Sequence, residues 1–230
     1  MATPGPKGGR TVRIGVIGAG NIGAALTRRL TALGHEVRVA NSRGPDTLSE
    51  LSRETGATPV EAAQAADGAD VVIVTIPERN IPRLPKGVVD RALPGAAVVD
   101  TGNYYPKQRD GRIAAIEDGL PESVWVQQHL GRPVIKAFNN MGAESLLTGG
   151  RPPGSPGRIA LPVAGDDARA KAVVMDLIDA LGFDPVDAGS LAESWRQQPG
   201  TPVYVKNLDA DGVRAALAAA TSERPAAFRA

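Results

Sequence analysis

The chain of 230 residues contains no cysteine. Without thiols it can form no disulfide, no thiolate metal site, no iron–sulfur cluster and no cysteine nucleophile. The absence of cysteine also favours, weakly, a reducing compartment over an oxidising one. We therefore expect a cytoplasmic protein whose function does not depend on thiol chemistry.

Long apolar runs are absent as well. The longest, Val71–Pro77 and Ala215–Ala220, are far too short to cross a bilayer. The first residues, Met1–Arg10, contain no apolar stretch of the kind found in secretory signals, and their glycine and proline predict a disordered lead-in. The sequence thus predicts a soluble protein without a membrane partner.

Neither sign of charge dominates. The 26 basic residues nearly balance the 25 acidic ones, which leaves a net charge of +1. The basic residues are also scattered, so there is no electrostatic footprint for nucleic acid. We expect a small molecule as the partner and leave a homodimer as an open alternative.

Between Val12 and Phe138, short apolar runs alternate with helical patterns. The runs are nearly continuous in apolar character, which is typical of strands covered on both faces. They are Val12–Ile17, Glu36–Ala40, Val71–Ile76, Ala96–Asp100 and Val134–Phe138. A helix is predicted over Asn21–Leu33, and the capping box in Thr58–Glu61 (TPVE) predicts the start of another. Such alternation predicts the α/β class, with a Rossmann-type doubly wound parallel sheet.

Beyond residue 142 the pattern predicts a small α/β C-terminal extension. Gly149–Gly157 contains three prolines and four glycines and is expected to be a loop. A strand candidate over Arg158–Ala164, a helix capped by Asp166 or Asp167, and a strand around Pro185–Asp187 follow. The expected segments are a disordered N-terminus at 1–10, a Rossmann domain at 11–142, the extension at 143–220 and a loose tail at 221–230.

The first predicted strand leads into a glycine-rich turn. Its residues, Gly18, Ala19, Gly20, Asn21, Ile22 and Gly23, match the pattern G-x-G-x-x-G. The turn follows an apolar strand and opens an amphipathic helix, which is the context of a dinucleotide site. Gly18 permits the tight turn, Gly20 lets a pyrophosphate approach the backbone, and Gly23 lets the helix pack closely on the sheet. We predict a dinucleotide site here, against the alternative of a strand–helix turn without a ligand.

The residues after the second strand distinguish NADP from NAD. An NAD site usually has a carboxylate there, which binds the ribose 2′-hydroxyl. This chain has Asn41, Ser42 and Arg43, with no carboxylate until Asp46. A carboxylate would repel a 2′-phosphate, whereas a hydroxyl and a guanidinium group can bind it. We predict NADP, with a merely solvated Arg43 as the alternative.

Several further segments give the chain a family resemblance. The matching segments are Ile14–Gly23, Asn41–Gly44, Thr75–Pro77, Val98–Asn103, Ile135–Asn139, Pro162–Asp167 and Asp187–Leu191. They resemble the coenzyme F420-dependent NADP oxidoreductases, which pass a hydride between NADPH and a deazaflavin coenzyme. The signature is also similar to the cytosolic reductase domain of six-transmembrane metalloreductases, although no membrane segment is predicted here. The resemblance implies NADP and coenzyme F420 as cofactors.

The resemblance also implies roles for individual residues. The positions that match are Ala19, Asn21 and Ile22 at the pyrophosphate, Ser42 and Arg43 at the 2′-phosphate, Thr75, Ile76 and Pro77 beside the nicotinamide ribose, and Ala137, Phe138 and Asn139 facing the nicotinamide and the acceptor ring.

Few side chains are candidates for acid–base catalysis. The two histidines, His35 and His129, lie in segments that predict packing or surface positions. Lys136 is a candidate proton donor, with a structural ion pair as the equal alternative. Asn103 and Asn139 follow strands and are candidates for contacts to the carboxamide or the acceptor, or for turn formation. We predict no catalytic side chain and no metal site.

This scarcity fits hydride transfer between two bound rings, which needs proximity and orientation more than a side-chain acid. The expected function is therefore NADPH-dependent reduction of a planar acceptor, with coenzyme F420 as the first choice. Two alternatives stay open. One is an NADPH reductase of another small acceptor such as a flavin, an imine or a carbonyl, and the other is a non-catalytic NADP(H)-sensing module.

Overall fold

A computed structural model describes residues 11–230, so the predicted disorder of residues 1–10 lies outside the described part. The centre of the fold is a parallel sheet of six strands. They are β1 (Arg13–Ile17), β2 (Glu36–Ala40), β3 (Thr58–Pro59), β4 (Val71–Val74), β5 (Ala97–Asp100) and β6 (Ile135–Lys136). Their order, β3-β2-β1-β4-β5-β6, reverses direction between β1 and β4. This order confirms the predicted Rossmann-type sheet.

Helices cover both faces of the sheet. They are α1 (Asn21–Ala32), α2 (Ser49–Thr55), α3 (Ala114–Glu117), α4 (Glu122–Leu130), α5 (Ala143–Thr148), α6 (Ala168–Ala180) and α7 (Ala210–Ala218). Because successive strand residues point to opposite faces, Val71 and Ile73 join one apolar cluster and Val72 and Val74 the other. Among these helices, none is long and apolar enough to cross a membrane.

The helix predicted over Asn21–Leu33 is present as α1 and ends one residue earlier. Leu26 and Leu30, four residues apart, lie on the buried face and are fully inaccessible to solvent. The chain then reverses at Gly34, whose φ of 85° lies in the left-handed region. Sequence periodicity and the glycine stop together therefore account for the length of α1.

The prediction of a helix start at Thr58–Glu61 is wrong. Thr58 and Pro59 instead form β3, which pairs with Arg38 and Val39 of β2 at the edge of the sheet. Proline is tolerated there because an edge strand does not need every backbone donor. The capping box lies three residues later, where Glu61 and Gln64 cap a short 3₁₀ helix. Pairing with β2 holds Thr58 and Pro59 in a strand, so the helix starts three residues later than the local sequence predicts.

The C-terminal extension continues the sheet at its β6 edge. Its strands β7 (Ala160–Val163) and β8 (Asp184–Asp187) pair in parallel. Lys136 of β6 and Ala164 exchange two backbone hydrogen bonds of 2.8 and 3.0 Å in an antiparallel bridge. Leu161 and other apolar residues of the extension belong to the same cluster as β1. The two predicted segments therefore share one hydrophobic core.

Asp167, one of the two residues predicted to cap this helix, is the N-cap of α6. Its carboxylate accepts hydrogen bonds of 3.0 Å from the backbone N–H groups of Arg169 and Ala170. The helix is followed by Gly182 at a φ of 95°. The start and the end of α6 thus follow from local sequence signals.

Residues 221–230 were expected to be a loose tail, and the structure instead places them against α4. Arg224 forms an ion pair of 2.9 Å with the carboxyl group of Glu122, whose side chain is fully buried. Lys107 donates to the backbone carbonyl of Ala226. The alanine-rich and charged sequence of the tail gave no sign of this docking, because it depends on a partner about a hundred residues away.

Replacing Arg224 by Ala should lower the free energy of unfolding by about 3 kcal/mol, because it removes the ion-pair partner of the buried Glu122 side chain. Arg229→Ala is the matched control in the same tail. It removes an exposed ion pair with Glu223 and an exposed hydrogen bond to the Arg224 backbone carbonyl, and it should cost about 1 kcal/mol. Urea unfolding of the three proteins measures both values, and equal losses would contradict the docking of the tail.

Candidate functional site

In the glycine-rich turn between β1 and α1, the backbone lies very close to the loop after β4. Gly18 has a φ of 113°, and a Cβ atom there would overlap the carbonyl oxygen of Thr75 after β4. A Cβ atom on Gly23 would overlap the carbonyl oxygen of Gly18. A Cβ atom on Gly20 would meet nothing within 4 Å. Two of the glycines are therefore required by packing, and the third leaves open space above the turn.

That open space faces the start of α1. The first N–H groups of a helix have no carbonyl partner within it, so they are available to an anion. Gly20 supplies the helix N-cap without a side-chain hydrogen bond, and no acidic residue lies in the first turn. The predicted residues Ala19, Asn21 and Ile22 lie around this point. The turn therefore fits a pyrophosphate.

The end of β2 presents two free side chains. Asn41 is used within the loop, where its Oδ1 accepts from the Arg43 N–H at 2.9 Å and its Nδ2 donates to Oγ1 of Thr47 at 2.9 Å. These bonds fix the backbone of the loop. Ser42 and Arg43 remain exposed. Their hydroxyl and guanidinium groups can bind a 2′-phosphate.

One groove connects the end of β2 with the loops after β4 and β5. Its first part, with a volume of about 670 Å³, extends from Ser42 and Arg43 to Gly20. Its second part, of about 410 Å³, extends from Gly20 to Asn103. Both parts are lined by Thr75, Ile76 and Pro77. The groove therefore brings together the predicted phosphate, 2′-phosphate and ribose positions.

The groove also contains residues that sequence reasoning missed. They are Arg79, Asn80 and Arg83 at the first part, and Thr101, Gly102, Tyr105 and Arg109 at the second. All follow strands β4 and β5 at their carboxyl ends, where ligands of such sheets bind. That rule was a signal available in the sequence, although it does not say which side chains face the groove.

Asn103 and Tyr105 form the wall at the second part. The Asn103 amide donates to the backbone carbonyl of Asn139 at 3.0 Å. The hydroxyls of Tyr105 and Tyr204 are hydrogen-bonded to each other. Arg109 stacks 5.0 Å from the centre of the Tyr105 ring and pairs with the buried Asp110. This wall is therefore held in place by hydrogen bonds and one ion pair.

The predicted acceptor-facing residues lie behind this wall. Ala137 and Phe138 are buried, with 0% and 2% exposure, and neither lines the groove. Phe138 has a φ of 64°, which is costly for a large side chain. The Asn139 amide is fully engaged, because it donates to the Gln197 carbonyl at 2.6 Å and accepts from the Gln197 amide at 3.0 Å. These residues support the groove rather than line it.

Neither histidine is at the groove. His35 lies beside Val12, at the opposite end of the strands, and burial lowers its pKa. His129 is exposed on α4 and contacts the Trp125 ring. Lys136 is fully buried and donates to Asp100 at 3.0 Å, so the structure shows the ion-pair alternative. Burial favours the neutral amine, but the charges of Asp100 and neighbouring carboxyls outweigh it and raise the pKa of Lys136.

Comparisons with known proteins agree with this geometry. Residues 13–104, which include β1 to β5 and most of the groove, match the family described as NADP oxidoreductase, coenzyme F420-dependent. Through these residues the chain belongs to that family. A hypothetical protein of Sinorhizobium meliloti is 34% identical, with a TM-score of 0.73 over 86% of this chain and 95% of its own. An Arthrobacter protein named as an F420-dependent NADP reductase is 25% identical, with a TM-score of 0.66 over 80% and 87% of the two chains.

Relatives also include metalloreductase STEAP3 of Rattus norvegicus. It is 28% identical over 182 residues, which are 79% of this chain and 35% of STEAP3. The chain spans half or less of the length of the curated relatives it matches. The similarity therefore concerns only part of each of these relatives.

A buried charge cluster lies directly behind the second part of the groove. Glu78, which follows Pro77, is fully buried, and its carboxyl oxygens lack a hydrogen-bond partner among residues 11–230. Burial, together with the charge of Asp100, raises the pKa of Glu78 well above its usual range. The cluster also contains the carboxyl groups of Asp100 and Glu122, which pair with the cations Lys136 and Arg224.

Replacing Gly20 by Val in this family member should abolish NADPH binding without unfolding the chain, because the added side chain fills the space meant for the pyrophosphate. Gly142→Val is the matched control. Gly142 is also a helix N-cap in extended backbone, and its Cβ would likewise meet nothing within 4 Å. Fluorescence titration with NADPH and thermal unfolding test both variants. Unchanged NADPH binding by Gly20→Val would contradict a pyrophosphate site at the glycine-rich turn.

Glu78→Gln should flatten the pH dependence of stability. Because the pKa of Glu78 is higher in the folded chain, its contribution is complete below the usual glutamate pKa of 4.5 and is lost as pH rises towards the raised pKa. The natural chain should lose up to about 1.4 kcal/mol of unfolding free energy per pH unit from this group. Urea unfolding at a series of pH values measures the slope.

Glu50→Gln, at an exposed position of α2, is the control and should follow the natural chain. Burial also raises the pKa of Glu122, so Glu122 contributes to the pH dependence of all three proteins. The contribution of Glu78 is therefore the difference between the slope of the natural chain and that of Glu78→Gln. If Glu78→Gln lost stability with pH as steeply as the control, Glu78 would be ionised in the folded chain.

Proposed function

We propose that the protein transfers a hydride from NADPH to a planar acceptor, with coenzyme F420 as the first choice. The observation that carries this proposal is the groove from Arg43 past Gly20 to Asn103, with the free N–H groups of α1 at its middle and the Arg43 guanidinium group at one end. Such a groove matches the charge pattern of a dinucleotide phosphate.

The first part of the groove favours NADPH over NADH. Its lining contains Ser42 and Arg43 and no aspartate or glutamate. An NAD site would use a carboxylate here to bind the ribose 2′-hydroxyl. A 2′-phosphate placed beside an exposed guanidinium gains a charge-assisted hydrogen bond.

The second part of the groove favours a reaction without a side-chain acid. Among residues 11–230 its lining contains no histidine, lysine, aspartate or glutamate, Arg109 is permanently charged and paired, and Tyr105 is the one phenol. When bound, NADPH supplies the hydride. The residues of the chain hold the ring through Thr75–Pro77 and fix the facing wall at Asn103, so their contribution is orientation.

A second candidate function is reduction of a small imine or carbonyl. The position of Tyr105 in the groove favours it. Its hydroxyl lies in the groove wall and is hydrogen-bonded to Tyr204. A phenol held in this way is a possible proton source for a carbonyl oxygen, whereas reduction of a deazaflavin needs no such group at this position.

The test mixes the intact protein with NADPH and each acceptor and follows absorbance. Coenzyme F420 should lose its visible absorbance over many turnovers, and Tyr105→Phe should retain most of that activity. Oxidation of NADPH with a carbonyl or an imine but not with F420, together with its loss in Tyr105→Phe, would replace the first proposal by the second. Tight NADPH binding without reduction of any acceptor would make the NADP(H)-sensing module the leading function.

A further inference from the structure

Two arginines in the wall of the first part of the groove have no part in the proposed function so far. The 3₁₀ segment Glu78–Arg83 follows Pro77, and Arg79 and Arg83 on it are exposed. Both line the first part of the groove together with Arg43. Three guanidinium groups, carried by two different loops, therefore border one cavity.

The charge around this cavity has one sign. No carboxylate lines it, whereas many other arginines of the chain pair with an aspartate or a glutamate. Within residues 11–230, the guanidinium groups of Arg43 and Arg79 have no hydrogen bond or ion pair, and that of Arg83 has one contact of 3.5 Å with the Asn80 side chain. Cations that border one cavity repel each other, so a bound anion is favoured there.

The backbone of the arginine-bearing wall is fixed. Glu78 and Ile81, three residues apart and therefore on one side of a 3₁₀ turn, are buried, with 0% and 3% exposure. The backbone N–H of Arg79 donates to Oδ1 of Asp110 at 3.3 Å. Only the side chains of Arg79 and Arg83 would become ordered on binding, which limits the entropic cost.

We propose that Arg79 and Arg83 complete, with Arg43, a two-sided cationic clamp for the 2′-phosphate of NADPH. This inference rests on the proposed function and adds to it two residues that set the preference for NADPH. A planar guanidinium group offers paired donors to a phosphate. NADH presents only a hydroxyl at the same place, so the clamp contributes little to NADH binding.

The experiment compares the Kd values of NADPH and NADH for the natural chain, Arg79→Ala and Arg83→Ala by titration calorimetry. Each substitution should weaken NADPH binding by roughly tenfold, the lower end of what a charge-assisted hydrogen bond contributes. NADH binding should be nearly unchanged. Combined with Arg43→Ala, the losses should be smaller than the product of the single losses, because the three groups share one phosphate.

Lys86→Ala is the matched control. Lys86 is an exposed cation three residues after Arg83 that does not line this cavity. It should leave both Kd values unchanged, which separates a direct contact from a general effect of charge.

Equal weakening of NADPH and NADH, or no change in either, would overturn the clamp while leaving the proposed function intact. A natural chain that does not bind NADPH would overturn the proposed function and the clamp together. The two failures are therefore distinguishable.

Discussion

The groove depends on one close backbone contact, at Thr75. The carbonyl and methyl groups of Thr75 occupy the space that side chains on Gly18 and Gly23 would need. This contact joins the end of β1, the start of α1 and the loop after β4. Because these three segments meet without intervening side chains, the free N–H groups of α1 face the same space as Thr75–Pro77 and the β2 loop. A larger residue at Gly18 or Gly23 would separate them and remove the floor of the groove.

Behind that floor, two polar networks hold the walls. Asn103, Asn139 and Gln197 exchange amide hydrogen bonds, which tie the loops after β5 and β6 to the C-terminal extension. Glu78 and Lys136 belong to the buried charge cluster that Arg224 of the tail completes. A small α/β extension and a docked tail therefore act on the groove through its supporting residues rather than by lining it.

Much of the fold could be predicted because its signals are local. Apolar runs predicted β1, β2, β4 and β5 to within two residues, and Leu26, Leu30 and the Gly34 stop predicted α1. The short helices α2, α3, α4, α5 and α7 were missed. In α4 the buried positions include Glu122 and Ser123, whose burial depends on distant partners and breaks the apolar pattern. The β3 edge strand was missed for a similar reason, since Thr58 and Pro59 form a strand only by pairing with β2.

The candidate site likewise contains some residues that the sequence could predict and others that it could not. The glycine turn and Ser42–Arg43 could be found from sequence, because backbone conformation and charge act locally there. Which side chains of the later loops face the groove could not. Phe138 and Asn139 turn inward, and Arg79 and Tyr105 turn outward, as tertiary packing decides.

The most direct measurement is a crystal structure of the protein with NADP⁺. The pyrophosphate is expected above Gly20, against the start of α1, with the 2′-phosphate within hydrogen-bond distance of Ser42 and Arg43. A dinucleotide bound outside the groove, or one in the groove whose 2′-phosphate points away from these two side chains, would contradict the assignment of this groove as an NADPH site.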